Sequence, residues 1–341
     1  MSKLEFEYVM RKITAGLTGD PAKDIPYLKQ MSETYKNSEY AKEILRACGR
    51  LMFSVLPDDK KAEISRLTEN HLLGIESVLD EAQFNIYRQK FDVAKKILSA
   101  AVANVEKFNM YQDDAVSEYH SFNTLIEEIL YTHIYNPKKD LRQAPEPLSN
   151  LYLTFGCVLF ELKDFDAAEV ALKKAMRWNP IDPRISFEYA ELFKQNGDMN
   201  SFYKFTLQIF PRIYSSEHLA RCYRNLGYYF VERRLWKVAA GCYLLSINYS
   251  TESKQAQSEL WYIQQKAGEN FSLPTPEDVK RFAEQYKFPL GADEDVVGIA
   301  VELGKHAFKN GQLDAAKYFF GIAYDLTNVD ELKEILDTLD D

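Results

Sequence analysis

Apolar residues recur along nearly the whole chain at intervals of three and four positions, which is the period of an amphipathic helix. Helix-start signals agree with that period: Asp24 is predicted to cap a helix with Pro26 in its first turn, and Thr275 precedes Pro276 in the same way. No segment combines alternating apolar and polar residues with hairpin turns, so strands are not expected. The pattern predicts an all-α protein.

One pattern of two helices is repeated four times. The copies align on an alanine, and the aligned alanines of neighbouring copies lie 74, 71 and 77 residues apart. The aligned alanines are Ala94, Ala168, Ala239 and Ala316. A small residue stands twelve positions before each of them: Ala82, Gly156, Gly227 and Gly304. This spacing corresponds to pairs of repeats of about 34 residues each.

The copy at 149–182 resembles the tetratricopeptide repeat family. Gly156 and Ala168 occupy the slots where the two helices of such a repeat cross, Tyr152 and Leu172 fill the space beside them, and Pro180 ends the second helix. The units 220–253 and 297–330 match the same slots but lack the proline. The unit 183–219 is degenerate, with Phe202 where a small residue is expected. The resemblance implies an α-α superhelix, a solenoid of stacked helix pairs.

The domain organisation follows from where this pattern is found. Residues 1–70 do not fit it and are expected to form a helical N-terminal cap, while residues 71–135 hold a degenerate repeat and extra helices around 113–135. Residues 136–148 contain three prolines and form a linker, either a rigid turn or a hinge. Residues 149–330 form the regular array, and residues 331–341 form a solvating C-terminal helix.

Composition and charge argue against several classes of function. The chain has a net charge of −9, which opposes general binding to nucleic acid or to an anionic membrane. An acidic start and the lack of a long uncharged apolar run argue against a signal peptide or a membrane span. Four scattered cysteines are expected to be reduced thiols. A cytoplasmic protein is the resulting expectation.

The resemblance also implies where a ligand binds, because first helices of successive repeats line a concave groove in this family. When the groove-facing positions of the family's repeat are carried over to this sequence, the candidate peptide-binding residues are Arg184, Arg221, Arg224, Asn225, Tyr228, Lys305 and Lys309. Phe187, Lys194 and Phe308 occupy further groove slots. Arginine recognises carboxylates with two parallel hydrogen bonds, so an acidic peptide or a C-terminal carboxylate is one hypothesis. The other is that these cations have local acid partners such as Glu217 or Glu232.

Catalytic and cofactor chemistry has no support in the sequence. The histidines show no metal-ligand spacing, although His120 and His133 flank Glu127 and Glu128 and could converge on a metal. There is no glycine-rich phosphate loop and no nucleophile elbow. We expect no enzyme activity, no metal and no cofactor.

The leading interpretation is a non-catalytic scaffold that binds a protein or peptide in the groove, with an acidic partner as one hypothesis. The alternative is a ligand- or peptide-responsive regulator whose N-terminal helices deliver the output. Residues 1–70 contain 12 Lys and Arg against 11 Asp and Glu, which disfavours a DNA-binding output. An enzyme built on a helical scaffold would need clustered titratable groups, which the sequence does not predict. Assembly into a homo-oligomer through a terminal repeat is also open.

Overall fold

The computed structural model describes residues 3–61, 74–108 and 111–340. The end of the predicted cap (62–70), the start of the next segment and His71 lie outside the described residues. The protein is mostly helical, as the apolar period predicts. The chain divides into two compact units, one made of Met1–Asn123 and Tyr135–Asn179, the other of Thr124–Ile134 and Pro180–Asp341.

The helices whose bounds the structure gives are numbered in chain order. The first ten are α1 (Lys3–Ala15), α2 (Pro21–Thr34), α3 (Ala41–Val55), α4 (Ile75–Tyr87), α5 (Phe91–Phe108), α6 (Leu125–Tyr135), α7 (Leu148–Glu161), α8 (Phe165–Trp178), α9 (Pro183–Gln195) and α10 (Met199–Ile209). The others are α11 (Ser216–Glu232), α12 (Trp236–Tyr249), α13 (Lys254–Ala267), α14 (Pro276–Tyr286), α15 (Glu294–Lys309), α16 (Leu313–Thr327) and α17 (Asp330–Asp340). Within these described stretches, no helix is both long and apolar enough to cross a membrane.

Two short strands correct the expectation of helices throughout 113–135. β1 (Ser117–His120) pairs in parallel with β2 (Asp140–Gln143) in the first unit. Four residues are too few to show a two-residue period, so the pairing is set by tertiary contacts rather than by the local pattern. Because β2 lies inside the predicted 136–148 linker, hydrogen bonds between strands hold that linker in place.

The first three helices share a core that contains Ile13, Leu28, Ile44 and Cys48. The predicted cap at Asp24 is wrong, because α2 begins at Pro21. The helix is capped instead by Asp20, which precedes it.

Asp24 lies within α2 and has a different structural role. Its carboxylate accepts hydrogen bonds from the backbone N–H groups of Thr18 and Gly19, at 2.8 Å each. The hydrogen bond from the Thr18 backbone is the largest cause of the lowered pKa of Asp24. A polar residue that the sequence pattern assigns to a helix start therefore secures the preceding turn. The predicted cap at Thr275 is confirmed, with Asp278 completing a capping box.

The four predicted copies form four helix hairpins, α4–α5, α7–α8, α11–α12 and α15–α16, and their aligned alanines are fully buried. Three of the hairpins share one contact. A Cβ added at Gly156, Gly227 or Gly304 would come within 2.7–2.8 Å of the side chain four positions after the aligned alanine. Those facing side chains are Leu172, Tyr243 and Phe320. Only glycine permits this approach between the paired helices, which explains the recurrence of the pattern.

The second unit contains the degenerate hairpin α9–α10, followed by α11–α12. Phe202 is fully buried where a small residue was expected, and its ring meets the Tyr228 ring edge-to-face at 6.1 Å. α13 and α14 pack against α12, and α17 packs against α16. Leu332 and Leu336 of α17 contact the core around Phe320, so one face of the predicted C-terminal helix is covered.

Candidate binding surfaces of the second unit

The seven predicted peptide-binding residues all belong to the second unit and fall into two groups. Arg184, Arg221, Arg224, Asn225 and Tyr228 lie on α9 and α11; with their acid partners Asp182, Glu188 and Glu217 they form what we call the central cluster. Lys305 and Lys309 lie on α15, where they border an apolar depression described below.

Arg184 is bound to the residue that caps its own helix. Its NH2 group lies 2.6 Å from Asp182 Oδ2, and its Nε donates to Asp182 Oδ1 at 3.0 Å. The buried carboxylate of Asp182 also accepts from the Arg184 backbone N–H at 2.9 Å. The hydrogen bond to Asp182 is the main cause of the raised pKa of Arg184. This guanidinium therefore stabilises the start of α9.

The other two arginines are also paired with acids. Arg221 NH2 donates to Glu188 Oε1 at 2.9 Å, and its guanidinium lies over the Phe187 ring, 4.7 Å from the centroid. Arg224 NH2 donates to Glu217 Oε1 at 2.9 Å, and the Arg224 side chain is only 11% exposed. Glu217 is one of the two acid partners that the sequence suggested.

Of the two uncharged members of the cluster, Asn225 is buried and Tyr228 is half-buried. Asn225 is 5% exposed, and its Nδ2 has no hydrogen-bond partner within the part of the chain that the structure describes. The ring of Tyr228 lies 4.8 Å from the Lys194 ammonium, in a cation–π contact. Burial raises the pKa of Tyr228. The central cluster is thus mostly satisfied by contacts inside its own unit.

A buried polar contact extends the cluster to α6. Tyr214 donates its hydroxyl to Glu127 Oε1 at 2.7 Å, and Glu127 is fully buried. Burial, and then the Glu127 charge, raise the pKa of Tyr214. Burial also lowers the pKa of His218, whose Nδ1 lies 2.9 Å from Ser215 Oγ. The sequence reasoning missed the Glu127–Tyr214 pair because 87 positions separate the two residues.

The two histidines that the sequence offers as metal ligands each contact an acidic residue of their own unit. His120 Nε2 lies 3.5 Å from Glu118, while His133 Nε2 lies 3.3 Å from Asp295. Among the described residues, no group of three or more histidine, cysteine or acidic side chains could hold a metal ion.

The second group borders an open apolar depression, which we call the C-terminal groove. It has a volume of about 310 Å³ and is formed by α15, α16 and α17. The lining residues are Lys305, Phe308, Lys309, Phe320, Ile335, Thr338 and Leu339. Phe308 is 54% exposed and Ile335 is 39% exposed, so apolar surface faces solvent. Exposed apolar surface of this kind, bordered by charge, is typical of interaction sites.

The two lysines of the groove differ in their contacts. Lys305 Nζ donates to Glu302 Oε1 at 2.9 Å on the exposed surface of α15. Lys309 has no ion-pair partner within 4 Å among the described side chains. The sequence reasoning identified both lysines and Phe308 but missed Ile335 and Leu339. The signal for these two residues is their apolar spacing in the last helix, which the sequence analysis assigns to a solvating helix.

No family model matches the chain, and no curated protein matches it significantly.

Proposed function

We propose that the protein is a non-catalytic interaction scaffold built from tetratricopeptide-like helix pairs, and that it binds an amphipathic helical segment of a partner protein in the C-terminal groove. The repeat assignment is supported by the contact that Gly156, Gly227 and Gly304 share across their hairpins. The binding assignment is supported by the C-terminal groove itself, whose apolar lining is exposed beside two lysines.

The chemistry of the groove specifies the partner. Apolar side chains at helical spacing in the partner would cover Phe308, Ile335 and Leu339, which removes apolar surface from water. Lys305 and Lys309 are four positions apart and lie one turn apart on α15. Acidic residues with the same spacing on the partner helix would face both ammonium groups. The proposed partner segment is therefore apolar on one face and acidic along one edge.

The central cluster supports this role less well. Its three arginines already have carboxylate partners, so an acidic peptide would have to displace Asp182, Glu188 or Glu217. Breaking a pair that is partly buried costs more free energy than replacing water around an exposed lysine. The basic residues that the sequence places in one groove are therefore proposed to have two different roles.

The test uses two designed helical peptides that share a leucine stripe and differ only in their flanking charge, glutamate in one and lysine in the other. Fluorescence anisotropy of labelled peptides measures binding to the full chain. We expect the glutamate peptide to bind at least ten times more tightly than the lysine peptide. In Lys305→Glu/Lys309→Glu this preference should reverse, because the edge of the groove then carries the opposite charge.

Lys333→Glu is the matched control, because Lys333 is exposed on α17 and does not line the groove. It should leave the preference of the wild type unchanged. Equal binding of both peptides to every variant would contradict the proposal. So would a dimer of this chain that dissociates on Phe308→Asp, since a second copy would then be the occupant of the groove.

A further inference from the structure

A second surface of the same unit carries a different chemistry. An open cleft of about 620 Å³ lies between the start of α12, the loop that follows α13, and α14; we call it the α12–α14 cleft. Its chemically distinctive lining residues are Arg234, Trp236, Lys237, Asn270, Phe271 and Arg281. The described residues that line it include three cations and no carboxylate. This is notable in a chain whose net charge is −9.

Two of the cations converge on one acid behind the lining. Lys237 Nζ lies 3.8 Å from Asp278 Oδ2, and Arg281 hydrogen-bonds to Asp278 Oδ1. Asp278 Oδ2 also accepts from the Thr275 backbone N–H, at 3.2 Å, as part of the capping box of α14. One carboxylate that is already bound to its own helix start therefore faces two cations. Lys237, Arg281 and Asp278 together therefore carry a net positive charge.

Arg234 adds a third charge that is not compensated nearby. It occupies the left-handed backbone region at φ 57°, in the turn between α11 and α12, and its side chain is exposed. Across the described ranges it has no ion-pair partner within 4 Å. Guanidinium and ammonium groups that line one cleft are suited to a phosphate, which can accept hydrogen bonds from several donors at once.

The remaining lining residues suit a planar ring rather than an anion alone. Trp236 and Phe271 are half-buried, so their rings are partly open to the cleft. Phe282 is buried beneath Arg281, whose guanidinium lies 5.5 Å from the ring centroid. Asn270 is exposed and offers both a donor and an acceptor, which matches the edge of a nucleobase. Aromatic walls with a few polar groups are typical of small-molecule sites.

We propose that the α12–α14 cleft binds a nucleoside phosphate, with its phosphate between Arg234, Lys237 and Arg281 and its base against Trp236 or Phe271. The site does not depend on the C-terminal groove, since the two surfaces share no lining residue. A small ligand at this position adds a regulatory or sensing capacity to the proposed scaffold.

Isothermal titration calorimetry of the full chain tests this with four probes: adenosine monophosphate, adenosine, inorganic phosphate and phosphotyrosine. We expect the nucleotide to bind at least ten times more tightly than adenosine or phosphate alone, because each of those lacks one half of the contacts. Binding should weaken as ionic strength rises. Arg234→Glu/Lys237→Glu should weaken nucleotide binding at least tenfold, and the milder Arg234→Gln should weaken it less.

Lys280→Glu is the matched control, since it makes the same charge change on α14 at an exposed residue outside the cleft lining. Circular dichroism melts verify that each variant is folded. The proposal is overturned by nucleotide binding that survives Arg234→Glu/Lys237→Glu, or by no nucleotide binding up to millimolar concentration. It is equally overturned if phosphate alone binds as tightly as the nucleotide, or if phosphotyrosine binds more tightly.

Discussion

The central cluster and the C-terminal groove both contain basic residues on the first helix of a hairpin. They differ in the side chains that surround those residues. On α9 and α11 the arginines meet Asp182, Glu188 and Glu217. On α15 the lysines border Phe308, Ile335 and Leu339 instead. A cation that meets an acid contributes to folding, whereas a cation beside exposed apolar surface remains available to a partner.

The difference has a structural origin. The central helices have other helices of the unit on more than one side, so their side chains are enclosed and need partners. The hairpin α15–α16 packs against α17, which covers the core around Phe320 but leaves the groove open. Changes in the central cluster should therefore reduce stability, and changes in the groove should reduce binding.

The largest predicted effect is at the helix crossings. Gly227→Val should lower the free energy of unfolding by about 3 kcal/mol, because the new side chain meets the buried ring of Tyr243. Gly304→Val should cost about half as much, since Phe320 lines the groove and has space to move. Urea unfolding measures both.

Gly321→Ala is the control for the crossing variants, because nothing lies within 4 Å of a Cβ added there. It should stabilise the protein by roughly 0.5–1 kcal/mol through helix propensity. An equal loss of stability in Gly227→Val and Gly304→Val would contradict the proposed difference in packing between the two regions.

The next largest predicted effect is the loss of stability when a helix-capping aspartate is removed, compared between two helices. Asp182→Ala should cost about 2 kcal/mol, since it removes the cap of α9 and leaves Arg184 without its buried partner. Asp293→Ala removes the cap of α15, where the carboxylate is more exposed, and should cost about 1 kcal/mol. Thermal and urea unfolding of both variants measure the difference; a larger loss at Asp293 would show that burial does not set the cost.

A substitution in the groove should have a smaller effect, and that effect should be on the free energy of peptide binding rather than of unfolding. Phe308→Ala should weaken binding of the glutamate peptide at least tenfold, about 1.4 kcal/mol, because it removes exposed ring surface from the contact. Its free energy of unfolding should change by less than about 0.5 kcal/mol. Tyr318→Ala, on the neighbouring helix α16 and outside the groove lining, should leave binding unchanged. Similar losses in both variants would argue against the groove as the site.

The smallest effect is a pH dependence that belongs to the central cluster. Burial lowers the pKa of His218 from its ordinary value of 6.5, an effect that Arg184 and Arg221 reinforce and that Asp182 and Glu217 oppose. The unfolded chain therefore takes up a proton at higher pH than the folded chain does. Stability from this group is complete above pH 6.5 and is lost as the pH falls from there through the folded pKa.

Urea midpoints measured between about pH 7 and about pH 5 test this pH dependence, because that range spans the histidine titration. The wild type should lose more stability on acidification than His218→Asn, which keeps a hydrogen-bonding group beside Ser215. Identical pH profiles for the two proteins would show that His218 does not titrate differently on folding.

The sequence by itself determined the helical class, the four aligned alanines and the close crossings at Gly156, Gly227 and Gly304, because periodicity and the need for a small residue are local properties. It also predicted Lys305, Phe308 and Lys309 as groove residues, and these three side chains line the C-terminal groove, whose role in binding is a proposal. It did not determine the β1–β2 pair, whose strands are too short for a period to show.

Only the tertiary structure decided which basic residues are already paired. Glu188 reaches Arg221 from a neighbouring helix, and Tyr214 reaches Glu127 across 87 positions of the chain. The face of α17 that borders the groove likewise depends on how that helix packs on α16. Coulomb and apolar contacts act over a few ångströms in space, so residues distant in sequence determine whether a charged side chain stabilises the fold or remains available for binding.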